Sequence, residues 1–142
     1  MIQRVQSIWL LLAAAAAFFT LKFPFYSGNM FSEDKISKSF AEINAQSSIL
    51  ILVLTVGIGI SAIIGIFMYK NRKEQLRICL AGIGAGVINV VLYFLQVKKF
   101  VPGEGQYALT AVLVILIPLF LILAARGIYK DQKLLKSLDR LR

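Results

Sequence analysis

Histidine is absent from this chain, and Cys79 is its one cysteine. The commonest neutral metal ligand and the usual acid–base catalyst are therefore missing, and no internal disulfide can form. Charge is scarce too, at 16% of the 142 residues. A soluble domain of this size needs a charged face on each element, and too little charge is present to supply one. The seven carboxylates, Glu33, Asp34, Glu42, Glu74, Glu104, Asp131 and Asp139, all fall outside the long apolar runs. Proton- and ion-coupled transporters generally keep an ionisable residue inside the membrane despite a cost of roughly 2.5 to 3.5 kcal/mol, so such coupling by this chain alone is not expected. Paired-carboxylate chemistry is unsupported for the same reason. No catalytic, cofactor or metal site is expected, and the chain reads as a non-enzyme.

What the chain has instead is apolar surface: 58% of its residues are hydrophobic and the mean hydropathy is +0.77. This surface is concentrated in four runs at about 8–23, 47–69, 76–97 and 107–125. Each is near the ~20 residues that cross a ~30 Å hydrocarbon core. The predicted fold class is all-α: a polytopic membrane protein with four transmembrane helices in antiparallel arrangement over residues 1–125, followed by a basic amphipathic tail, 126–142. The net charge of +9 does not indicate a nucleic-acid partner, because the Lys and Arg residues sit at the ends of apolar runs rather than on one basic face.

The first run includes the tract Ala13 to Ala17 behind Arg4, a pattern that a cleavable signal peptide also shows. Cleavage within that tract would leave only Ile8 to Leu12 as apolar core, short of the roughly 7 to 15 residues required. An uncleaved first span is expected. Pro24 ends it, and between Phe25 and Gln46 the sequence predicts either a partly ordered loop or a short helix. That helix would be capped by Ser32, carry Glu33 and Asp34 in its first turn, and present Ile36, Phe40 and Ile43 on one face. The basic stretch Lys70 to Gln75 reads as the turn of a helical hairpin. Lys98 to Gln106, with Pro102, Gly103 and Gly105, reads as a second sharp reversal.

Orientation follows from the basic residues. With the amino terminus inside, Arg4, Lys70, Arg72, Lys73, Arg77, Arg126, Lys130, Lys133, Lys136, Arg140 and Arg142 are cytoplasmic, eleven in all, against five outside: Lys22, Lys35, Lys38, Lys98 and Lys99. The positive-inside rule then predicts both termini in the cytoplasm.

Small residues recur at intervals of four: Gly57, Ser61 and Gly65 in the second run, Gly82 and Gly86 in the third. Such faces let helix backbones approach closely in lipid, where dispersion drives association. The expectation is that these two faces meet within one hairpin; a homodimer face or a lipid groove is the alternative. Asn89, the most polar side chain inside a run, reads as interhelical glue, a role worth only about 0.6 kcal/mol on average. Cys79 is expected to act as a small buried hydrophobe, and Pro118 to kink the fourth helix. In the tail, Leu134, Leu138 and Leu141 fall at helical spacing among Lys133, Lys136 and Arg140. A helix of this kind can lie on anionic lipid or dock on an acidic partner. Topology alone accounts for its charge but not for its leucines.

Three stretches bear a family likeness: Met1 to Ala13 (MIQRVQSIWLLLA), Asn71 to Cys79 (NRKEQLRIC) and Lys130 to Arg142 (KDQKLLKSLDRLR). With them, nearly the whole chain resembles the small four-span membrane proteins of Bacteroidota catalogued as domain-of-unknown-function family 4293. The resemblance implies a bacterial inner (cytoplasmic) membrane location and an uncleaved first span. It implies no activity and no functional residues.

Small size, absence of intramembrane charge and a leucine-bearing tail together predict a non-enzymatic accessory or assembly subunit. Its partners would be membrane lipid and a larger membrane-protein complex, bound through the helix faces and the basic tail. The alternative is a small homo-oligomeric channel, transporter or lipid-handling protein. A pore would require a continuous polar stripe, whereas Thr55, Ser61 and Asn89 are isolated. An enzyme acting on lipids ranks third, because it would need a nucleophile or carboxylate cluster at the interface.

Overall fold

Long apolar stretches surrounded by lipid must satisfy their backbone groups internally, which favours helices. A computed structural model of the protein describes residues 2–31 and 38–139 and contains four of them: α1 (Ile2–Lys22), α2 (Ile49–Phe67), α3 (Arg72–Val97) and α4 (Ala111–Asp139). All four are long and apolar enough to cross a membrane. Each helix touches two others, α1 packing on α2 and α4, and α3 packing on α2 and α4, so the four close into a ring.

Each helix buries one stripe at the helical period. On α3 the stripe is Gln75, Cys79, Gly82, Gly86, Asn89 and Tyr93, and on α2 it is Ile51, Thr55, Ile58, Gly59, Ala62 and Gly65. On α4 it runs Val114, Ile117, Leu121, Ala124, Ile128 and Asp131. The opposite faces carry exposed Leu, Ile, Val and Phe, as expected where the solvent is lipid.

The fold is not purely helical. Strands β1 (Tyr26–Phe31), β2 (Lys38–Ile43) and β3 (Phe100–Tyr107) form an antiparallel sheet in the order β2-β1-β3. This corrects two expectations. Phe40 and Ile43 lie on β2 rather than on a surface helix, and Lys98 to Gln106 enters β3 instead of forming only a turn; the proposed cap Ser32 and Glu33, Asp34 and Ile36 lie outside the described residues. The physical reason is long-range pairing. β1 finds partners on both sides, and its glycine lets the strands approach, because a Cβ on Gly28 would come within 2.6 Å of Gly105 Cα. A side chain on Gly105 would overlap the Tyr26 ring, and Gly103, with φ of 84°, supplies the one conformation that disfavours other residues.

The sheet joins the C-terminal ends of α1 and α3 to the N-terminal ends of α2 and α4. An aromatic cluster seats it on the helices. Phe25 packs on Tyr93 at 4.8 Å between ring centroids and edge-on to Phe94 and Tyr107, while Tyr26 packs edge-on to Phe100. A 3₁₀ turn, Ala45–Ser47, then leads into α2; Asn44 caps it by accepting from the Gln46 amide at 3.0 Å, and Ser47 Oγ accepts from the Asn44 amide at 2.8 Å.

Three helix starts differ from the apolar runs by at least four residues. α1 begins at Ile2 rather than near residue 8, α3 begins at Arg72 and so takes in most of the stretch Lys70 to Gln75 expected to be a turn, and α4 begins at Ala111 because residues 100–107 are committed to β3. α4 also passes without a break through the point where the tail was expected to start, continuing to Asp139.

Candidate functional site

The most concentrated polar chemistry lies at the end of the bundle away from the sheet. Gln6 on α1 is 5% exposed and donates from Nε2 to Asp131 Oδ2 at 2.6 Å. The same carboxylate oxygen lies 3.3 Å from Arg72 Nη1, on the first turn of α3. Gln75, one turn further along, donates to the backbone carbonyl of Gly65 at 2.8 Å and so ties α3 to α2. Gly127 lets α1 approach α4, since a Cβ there would stand 2.8 Å from Gln6 Cγ. Three helices thus converge on one paired carboxylate, and Gln75 ties the fourth, α2, to the same end of the bundle. A paired, hydrogen-bonded arrangement is what a buried charge requires.

The sequence reading missed this cluster by assigning Asp131 to a solvated tail. A signal was present: continuing the α4 stripe by threes and fours from Leu121 through Ala124 and Ile128 lands on Asp131.

The small residues on α2 and α3 are distributed among several contacts. Among the described residues nothing approaches within 4 Å of a Cβ built at Gly57. A Cβ on Gly65 would meet Leu10 of α1, and one on Gly82 would meet Leu121 of α4 at 3.3 Å and Ser61 Oγ at 3.6 Å. Gly86 receives Pro118 of α4 at 3.4 Å. The expected meeting of the two small-residue faces is therefore confined to Ser61 and Gly82. Elsewhere α2 and α3 part around an apolar cleft of about 330 Å³ lined by Val53, Gly57, Ser61, Ile78, Ala81 and Ala85 among others. The most extensive helix contact is between α1 and α4, and Ala13, Ala14 and Ala17 of α1 are buried in the same apolar core as Ala124 and Ala125 of α4. The alanine methyl is small enough to permit close helix approach, at a lower conformational cost than glycine.

Asn89 is buried and donates from Nδ2 to Thr55 Oγ1 at 2.9 Å, linking α3 to α2. Cys79 is buried in the apolar core. Of the tail residues, Lys133 and Leu134 are exposed on α4, Lys136 and Leu138 fall on its last turns, and Arg140 and Leu141 lie outside the described residues.

At the sheet, Glu104 of β3 pairs with Lys38 of β2 and accepts from Asn29 Nδ2 of β1 at 3.1 Å, so one carboxylate spans three strands. The Lys38 hydrogen bond, followed by that of Asn29, holds the Glu104 carboxyl below the usual carboxylate range.

Four apolar helices of spanning length around a close-packed core define a multi-pass membrane protein. The chain belongs to the family described as Domain of unknown function (DUF4293), whose model matches residues 2–141. No curated protein and no solved structure matches it.

Proposed function

We propose that this protein is a non-enzymatic accessory or assembly subunit of a bacterial inner-membrane complex, with antiparallel spans and both termini in the cytoplasm. The distribution of eleven basic residues against five supports that orientation. The sheet supports alternating spans, because it gathers two helix starts and two helix ends.

The observation that carries the reading is α4 beyond its apolar run. Ile128 and Asp131 seat it firmly on the bundle, and it then presents Leu134 and Leu135, 47% and 46% exposed, beside Lys133. A topological signal needs charge alone. A continuous helix displaying leucine and lysine suits a protein surface with apolar pockets and acidic margins.

The test is Leu134→Ser with Leu138→Ser in the full chain, purified from its native membrane in mild detergent. The pair should release copurifying membrane proteins that the unaltered chain retains, while the basic residues keep the terminus inside. An unchanged set of copurifying proteins would refute the reading.

The cleft between α2 and α3 favours a second reading, a homo-oligomeric channel, transporter or lipid-handling protein, because Gly57 leaves room there for an acyl chain or another helix. Gly57→Cys in a Cys79→Ala background distinguishes the two. Efficient disulfide dimers in native membrane would support the homo-oligomer, and a monomer under oxidation would count against it.

A further inference from the structure

Between the apolar core and the sheet, three helices bring together four neutral polar side chains: Thr20 of α1, Thr55 of α2, and Asn89 and Tyr93 of α3. All four are at least 97% buried. Thr20 donates to the Ala17 carbonyl at 2.7 Å, and Thr55 accepts from Asn89. Among the described residues, Asn89 Oδ1 and the Tyr93 hydroxyl are left without a hydrogen-bond partner. The hydroxyls of Thr20 and Thr55 interact with that of Tyr93 without closing a bond of normal geometry. Exchanging the two ends of the Asn89 amide does not remove the deficit. It changes which atom faces Thr55 and leaves the other one unpaired.

A buried polar atom without a partner costs most where no solvent can reach it, and the usual remedy is an internal water making about three hydrogen bonds. We propose that Asn89 and Tyr93, with Thr20 and Thr55 beside them, form a binding site for one water molecule inside the apolar bundle. The water donates to Asn89 Oδ1 and accepts from the Tyr93 hydroxyl. The donor set selects a neutral ligand over a cation, because the buried carboxylate, Asp131, is committed to Arg72 at the opposite end. Phe25, packed at a tilt against the Tyr93 ring, lies on the sheet side of the site.

An experimental structure in detergent or lipid, at a resolution that shows ordered water, should place density within hydrogen-bonding distance of both the Asn89 amide and the Tyr93 hydroxyl. No density there, or a Tyr93 hydroxyl bonded directly to Asn89, would overturn the proposal. A double-mutant cycle provides an independent measure. A shared water makes the second substitution less damaging once the first is present, so the unfolding midpoint of Asn89→Leu with Tyr93→Phe should fall by less than the two single shifts combined. Additive shifts would overturn it. Asn89→Ser replaces Asn89→Leu in the cycle if the leucine variant does not fold.

Discussion

Gln6 and Asp131 stand 125 positions apart in sequence and 2.6 Å apart in the fold, joining the first turns of the first helix to the last turns of the fourth. Arg72 completes the cluster from α3. Removing one member of a buried ion pair strands the other, at a cost of roughly 3 to 5 kcal/mol. Asp131→Ala should therefore lower the thermal midpoint in detergent far more than Glu42→Ala, which removes an exposed carboxylate. Gln6→Leu should fall between them, because Arg72 still neutralises the carboxylate. Equal midpoints for the two carboxylate variants would show that the cluster contributes nothing.

Packing predictions invert an intuition about glycine. Ala17→Leu, at a fully buried position of the apolar core, should destabilise by about 1 to 3 kcal/mol through overpacking, whereas Gly57→Leu extends into the cleft and should be nearly neutral. Gly82→Leu should resemble Ala17→Leu, since Leu121 and Ser61 occupy the space it needs. Thermal unfolding of the three variants in one detergent gives the order directly.

The sheet should respond to acid. Glu104 has a lowered pKa because Lys38 and then Asn29 bind its charged form, so its contribution is complete above the ordinary carboxylate value of about 4.3 and fades as pH falls through the lower folded value. Once the slower intrinsic exchange in acid is divided out, the protection of the β2 and β3 amides should therefore fall at the acidic end in the native protein. In Glu104→Gln, exchange should already be quicker at neutral pH, with a weaker acid dependence. The effect is small, because both partners are solvent-exposed.

Topology reporters fused after Lys73 and after Arg142 should read as cytoplasmic, and those near Lys38 and Gly103 as external. Identical readings from the Lys38 and Lys73 fusions would eliminate the four-span arrangement. Mass analysis of the mature protein should find residues 1 to 17 in place, because Leu10, Ala13 and Ala17 belong to the core.

The spans were legible because run length is a local property that lipid enforces. The sheet was not. Gly28, Gly103, Gly105 and Pro102 are turn residues by local rules, and only the pairing of 26–31 with segments before and after two further helices makes strands of 38–43 and 100–107. Tyr26 and Phe100 carried the apolar side of that sheet in segments otherwise rich in polar residues and glycine. The small-residue contacts were half legible. Spacing by four marks a face but names no partner, and Gly65 and Gly86 turned to α1 and α4. The alanines of α1 were visible throughout but were weighed only as part of a leader segment.

The broad contact between α1 and α4 also bears on how the protein is made. α1 finds much of its packing surface only when α4 has arrived, and until then the Gln6 amide and the Arg72 guanidinium lack the carboxylate that satisfies them. A chain stalled after α3 therefore leaves an alanine-lined face open to lipid and a cation unpaired at the bundle end. Arrival of α4, rather than insertion of any earlier span, is the step at which the ring can close.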